Sequence, residues 1–179
     1  KAVVTGQSSG DEFQAEFDYL INAAGLGAYG LCRSYWHHAP PPPKLFAKGS
    51  YFSISGEAPF KTLIYPLPEK YGLGIHYTLG IDGKGQLGPN VDWIDKENYI
   101  VDPALETKFK KVVSTYWPSV FDRKLFPNYC GIRPKIKGND FVIHNKDNIF
   151  TLLGIESPGL TSSFAIAEMI TEKLNVLSL

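Results

Sequence analysis

The sequence predicts an α+β fold, with an antiparallel sheet through the middle of the chain and a strand–turn–helix closing it. Three observations lead there. Between Lys44 and Ile100, short apolar or alternating runs are separated by turn residues at hairpin spacing. The run Tyr19-Leu20-Ile21-Asn22-Ala23-Ala24 is almost wholly apolar, as a strand buried on both faces would be, and passes straight into glycines. Near the C-terminus, Ile149 to Leu153 has the length of a buried strand. A turn rich in Gly, Ser and Pro follows it, and then apolar residues at helical spacing, Leu160, Phe164, Ala167, Ile170 and Leu174, on one face.

In chain order, Ala2–Thr5 and Glu12–Phe17 read as a hairpin around Gly6–Gly10. Gly25-Leu26-Gly27-Ala28-Tyr29-Gly30 matches G-x-G-x-x-G in form, but its helix can run only to about Trp36 before Pro40-Pro41-Pro42-Pro43, a rigid spacer. Phe46-Ala47-Lys48 stands where a ribose-binding acid is expected, so no dinucleotide βαβ unit can be completed; the turn reads as touching part of a larger cofactor. Strands are expected at Gly49–Ile54, Thr62–Leu67, Leu73–Leu79 and Gln86–Pro89, with an Asp82-Gly83 hairpin turn. The charged stretch Asn90–Pro103 leads to a helix over Leu105–Tyr116. Two further strands, Tyr129–Arg133 and Asp140–His144, precede the closing unit. Ser157 and Pro158 suit a helix entry, and Gly159 permits close approach to a helix start whose N–H groups stabilise negative charge.

Lys+Arg 18 against Asp+Glu 18 leaves no footprint for nucleic acid or an anionic membrane surface. Cys32 and Cys130 form no disulfide framework, which points to a reducing, cytoplasmic setting. No apolar run approaches the ~20 residues of a bilayer span. The chain opens at Lys1 in mid-pattern and reads as a piece of something longer. Tyr 10, Phe 11, Pro 13 and Gly 17 suit a β-rich chain with many turns.

Few side chains carry chemistry. Arg133 precedes Pro134, which holds its backbone extended, so its guanidinium is expected at a strand end. There it serves either a carboxylate ligand or a salt bridge. His76 is expected in mid-strand, in phase with Gly74 and Thr78, as a structural hydrogen bonder or a base. Tyr65, before Pro66, either offers its hydroxyl to a substrate or caps the core. Lys48 reads as a solvated entry to its strand. His37-His38 is no metal pair, because adjacent side chains point apart, and no metal is expected.

Seven segments, Asn22–Leu26, Lys48–Phe52, Leu63–Pro66, Gly74–Thr78, Gly88–Asn90, Gly131–Lys135 and Gly154–Thr161, stand in the order in which similar motifs occur in one family. Together the chain resembles the C-terminal half of FAD-dependent oxidoreductases of the D-amino-acid oxidase superfamily, in the L-2-hydroxyglutarate dehydrogenase-like branch. The resemblance implies an antiparallel substrate domain plus the C-terminal part of an FAD-binding Rossmann-like domain. It divides the chain into 1–36 and 105–179, in the FAD domain, and 37–104, in the substrate domain. It implies FAD contacts from Ala24, Gly25, Gly131, Gly154, Ser157, Gly159, Leu160 and Thr161. It also implies a carboxylate clamp from Arg133 with Tyr65 and Lys48 beside it, and His76 above the ring. The implied partners are a small carboxylate substrate, an N-terminal FAD-binding half carrying the adenosine motif, and an electron acceptor left open. An amino-acid or glycerol-3-phosphate oxidoreductase on the same scaffold is the rival enzyme reading, and a β-rich binding domain the non-enzymatic one.

Overall fold

The computed structural model describes residues 2–8, 11–36, 44–67, 74–138 and 140–177. The His37-His38 pair, the four prolines and Tyr71–Leu73 lie outside the described residues. The chain divides into two compact units, Lys1–Lys44 with Pro134–Leu179, and Leu45–Arg133.

The first unit opens with an antiparallel hairpin, β1 (Ala2–Ser8) against β2 (Asp11–Phe17), registered from Ala2↔Phe17 to Ser8↔Asp11. Its core is a three-stranded sheet. β10 (Ile149–Leu153) is central, parallel to β3 (Leu20–Asn22) and antiparallel to β9 (Val142–Lys146). β10 is buried on both faces, which is why it reads as an apolar run broken only by Thr151. Phe150 and Leu152 meet Ile170 of α3 (Gly159–Leu177), whereas Leu153 on the other face meets Ala28 and Cys32 of α1 (Ala28–Cys32). Asp147 and Asn148, both at positive φ, make the tight turn between β9 and β10.

Two expectations fail here. The apolar run before Gly25 is a strand only over Leu20–Asn22, and Ile21 is 45% exposed. β3 pairs only with β10 among the described residues, so just one of its edges is covered. On α3, Leu160 and Phe164 are 90% and 88% exposed, while Ile166, Met169, Ile170 and Leu174 turn toward the sheet. Gly159 is buried so close to Ile155 that a Cβ on it would lie 2.6 Å from Ile155 Cγ2, and the stripe that packs on the sheet is Ile166, Met169, Ile170 and Leu174.

The second unit is a five-stranded sheet. β4 (Lys44–Ile54) pairs antiparallel with β6 (Gly85–Leu87) and β7 (Asp92–Ile94), and with β8 (Leu125–Ile136); β6 pairs antiparallel with β5 (Tyr77–Leu79). Phe52, Ile54, Tyr77 and Leu87 point to one face. There they pack on Phe109 and Val113 of α2 (Leu105–Val113), on Trp117, and on Val120 of the 3-10 turn Pro118–Asp122. This shared core is why 105–133 packs with the sheet, so that the compact units part at 44/45 and 133/134 rather than at 36/37 and 104/105.

Other elements also differ from expectation. Thr62–Leu67 is no strand but a single bridge, Ile64↔Tyr77, since Pro66 cannot donate to a ladder. The third expected strand starts only at Tyr77, because Gly74 at φ +71 breaks the extended run. Its histidine therefore sits just before the strand. β7 hides in a charged stretch, and β8 continues through Pro134, which places Arg133 inside a strand rather than at its end.

Candidate functional site

In the second unit, the sheet face opposite the apolar core carries the polar chemistry. Phe52 pairs with Leu87 and Leu87 with Tyr77, and all three point into the core. Alternation then turns Tyr51 to the opposite face. His76 precedes inward-facing Tyr77, and its carbonyl accepts the Gly88 N–H at 3.0 Å. On β8, Cys130 packs against the core, so Tyr129, Gly131 and Arg133 share the outer face.

Three glycines clear space on that face. A Cβ on Gly49 would lie 2.8 Å from Pro89 Cβ and 3.3 Å from a guanidinium nitrogen of Arg133, so the arginine rests over a bare backbone. A Cβ on Gly88 would lie 2.6 Å from Tyr51 Cδ1, so that ring lies flat on glycine. Among the described residues, no atom outside its chain neighbours lies within 4 Å of the place a Cβ on Gly131 would take. Tyr51 stacks on Tyr129 with centroids 4.4 Å apart and planes at 13°, and Tyr65 meets His76 edge-on at 4.2 Å. Burial pushes the Tyr51 phenol above its ordinary pKa, as does Tyr129, while Arg133 pulls the other way. Tyr65 acts on the same phenol electrostatically, which ties the two aromatic pairs into one neighbourhood.

Arg133, His76 and Tyr65 therefore share this neighbourhood, whereas Lys48 does not. Lys48 is 8% exposed, not solvated; it faces the core side of β4, and its ammonium donates to the Ile100 carbonyl. Sequence reasoning missed Gly49, Tyr51 and Tyr129. The signal was present in the alternation of Gly49 with Tyr51 and of Tyr129 with Arg133, but it needs the β4–β8 pairing to be read. The variant Gly49→Ala drives a methyl into Pro89, which has no rotamer in which to retreat. A loss of about 1–3 kcal/mol is expected for such overpacking, visible as a lower urea midpoint.

The first unit holds the glycine turns. Buried Asn22 organises the first. Its Nδ2 donates to Ala28 O at 2.9 Å and to Tyr35 Oη at 2.7 Å, and Tyr35 Oη lies 3.0 Å from Thr151 Oγ1. Its Oδ1 accepts the Ala24 N–H at 3.4 Å, and Gly25 follows at φ +56, a conformation that side chains other than Asn and Asp rarely adopt. Gly25 and Gly159 line one apolar cleft of about 430 Å³ with Ile21, Ala23, Leu152 and Ser163. Gly154 (φ +70) backs onto Ile136 and lines a separate cleft of about 200 Å³ with Ser157 and Pro158. Glu156 does not face solvent freely but pairs with Lys135. Thr161 Oγ1 and Ser162 Oγ both bond Pro158 O, while the Leu160 and Thr161 N–H groups, in the first turn, have no carbonyl partner within α3. An open glycine turn beside an exposed helix start over an apolar trough fits the edge of a planar, electron-rich heterocycle with a polar chain.

The sequence matches the family described as FAD dependent oxidoreductase (DAO) over residues 1–173. It is 41% identical over 178 residues to an Arabidopsis thaliana protein named L-2-hydroxyglutarate dehydrogenase, mitochondrial, covering 86% of this chain and 37% of that protein. It is 33% identical over 138 residues to the glycerol 3-phosphate oxidase of Mycoplasma genitalium, covering 72% of this chain and 36% of that one. Among solved structures, it superposes with a TM-score of 0.73 and 26% identity on dithionite-reduced L-α-glycerophosphate oxidase of Mycoplasma pneumoniae with FAD bound. That match covers 88% of this chain and 42% of the other. The chain thus spans well under half the length of each of these proteins. No helix among the described residues is long and apolar enough to cross a membrane.

Proposed function

We propose, for a chain that belongs to the DAO family of FAD-dependent oxidoreductases, that it carries the substrate-gripping face and part of the flavin-holding surface of a dehydrogenase acting on a small L-2-hydroxy acid of the 2-hydroxyglutarate kind. The observation that carries this is the gathering of Arg133, Tyr51, Tyr65 and His76 in one neighbourhood outside the core of the second unit. The 41% identity to a protein named for L-2-hydroxyglutarate supports the choice of substrate class.

FAD, the family's cofactor, accepts a hydride and so supplies the oxidising chemistry when bound. On this chain Gly25, Gly159 and the exposed start of α3 would hold part of it, with Ala24, Gly154, Ser157, Leu160 and Thr161 in the same two turns. The α3 start would favour negative charge placed against it. Arg133 binds and orients the substrate carboxylate through its planar fork. His76 takes the proton of the substrate hydroxyl on an imidazole nitrogen as the carbinol carbon loses its hydride, and Tyr65 holds the imidazole edge-on. The remaining length of the relatives is where we place the nucleotide-binding half; the electron acceptor is left open.

A second reading, glycerol-3-phosphate oxidation, is favoured by the glycerol 3-phosphate oxidase similarity and by the structural match to a glycerophosphate oxidase. A guanidinium grips phosphate as well as carboxylate. A panel of L-2-hydroxyglutarate, L-lactate, glycerol 3-phosphate and D- and L-amino acids, scored by anaerobic bleaching of the flavin in the full-length protein, decides between them. Bleaching by L-2-hydroxyglutarate is expected; bleaching by glycerol 3-phosphate alone would overturn the substrate assignment.

A further inference from the structure

The turn that carries β10 into α3 is held by the last residues of β8. Gly154, at φ +70, rests against Ile136, where a Cβ would lie 2.8 Å from Ile136 Cγ1. One residue earlier on β8, the Lys135 ammonium donates to Glu156 Oε1, and both side chains are partly buried. The Glu156 backbone is committed to the same turn. Its N–H donates to Gly154 O at 2.8 Å, and its carbonyl accepts the Gly159 N–H. Glu156 therefore brings a negative charge to the entry of α3, where the helix favours an anion. Unpaired, that carboxylate would oppose negative charge on any group docked against the helix start; the Lys135 ammonium cancels it. Asp140, the other acid lining this cleft, is exposed and accepts the Phe141 N–H, so water screens it.

We propose that Lys135 and Glu156 are positioning residues for the flavin: the pair braces the glycine turn, and the balance of its two charges sets the reduction potential of the bound ring. The proposal rests on the flavin reading of the α3 entry and goes beyond it, since neither side chain is assigned a contact with the cofactor. Two features support it. Glu156 lines one cleft with Gly154, Ser157 and Pro158, so its charge lies within the turn itself. The pair also joins residues 21 apart in the chain, on separate elements, and so ties the turn to β8. The Glu106–Lys110 pair, by contrast, spans a single turn of α2 and braces nothing beyond it. Reduction places negative charge on the flavin, which a nearby cation favours and a nearby anion opposes.

The test uses the full-length protein with FAD, equilibrium reduction against a reference dye, and titration of the apoprotein with FAD, none of which needs turnover. Lys135→Met leaves the Glu156 carboxylate unpaired. Reduced FAD should then bind about 10-fold less tightly relative to oxidised FAD, a potential about 30 mV lower for a two-electron couple. Glu156→Gln leaves the ammonium instead, and a shift of similar size and opposite sign is expected. The double variant removes both charges and should return the potential to near the parental value, and Lys135→Arg should keep it there. Without the brace, the double variant should bind oxidised FAD about 2- to 5-fold less tightly, the span of a partly exposed ion pair. Opposite signs separate this role from a merely structural one, because loosening the turn would act alike in both single variants. Potentials that stay parental, or move the same way in both, overturn the charge balance. Parental FAD affinity in the double variant overturns the brace. Either failure leaves the flavin reading standing while the parental protein holds FAD; a parental protein that takes up no FAD removes that reading and this proposal together.

Discussion

In the full-length protein, Arg133→Ala is expected to lower kcat/KM for L-2-hydroxy acids by about 100- to 1000-fold, the cost of losing a desolvated, hydrogen-bonded charge partner. Both constants should move. KM rises because the acid loses its main anchor, and kcat falls because the carbinol hydrogen is no longer held in line. Stability should change little. Arg133 lies on the outer face of β8 and has no part in the core of Phe52, Tyr77, Phe109 and Val120. Arg133→Lys should recover only a fraction, since an ammonium on a flexible stem cannot reproduce a planar fork. The substitution also has a spectroscopic consequence with a definite sign. Arg133 now pulls the Tyr51 pKa down against burial and Tyr129, so its removal should shift tyrosinate formation at that ring to higher pH in an ultraviolet titration. Parental kinetics in Arg133→Ala would remove the arginine from the substrate site.

The second large effect belongs to His76. If it receives the hydroxyl proton, His76→Ala should slow anaerobic bleaching of the flavin by substrate about 100- to 10,000-fold, the usual contribution of a positioned base. The pH profile gives an independent readout. A base works only when unprotonated, so the parental rate of bleaching should climb with pH along an acidic limb, and the variant should lose that limb. His76→Ala also removes the ring that Tyr65 meets edge-on, so Tyr65→Phe is the control for packing. That control keeps the ring contact and should retain the limb. Bleaching by His76→Ala at the parental rate, with the limb intact, would refute the assignment.

Much of the fold was legible because short-range rules governed it. The β1–β2 hairpin followed from alternation, although β1 runs on through Gly6–Ser8 where a turn is expected, and Ile149–Leu153 read as a buried strand. Where a feature depended on a partner far along the chain, local reading missed it. Lys48 looked solvated because nothing near it in sequence reveals Ile100 O, and β7 was invisible because Asp92-Trp93-Ile94 is a strand only through its pairing with Phe46–Lys48. The phase of α3 depended on which of its apolar residues meet Phe150 and Leu152 of β10, so its exposed Leu160 and Phe164 were assigned to the wrong side.

By itself, the sequence determined the α+β class, the closing strand–turn–helix and the residue types able to grip an acid or accept a proton, because turn chemistry, period and side-chain identity are properties of a few neighbouring residues. Only the tertiary structure decided which of those residues meet. Lys48 turns inward, while Gly49, Tyr51, Tyr129 and Arg133 share a face, because β4 and β8 come side by side from positions some eighty residues apart and pleating then sends alternate side chains to opposite sides.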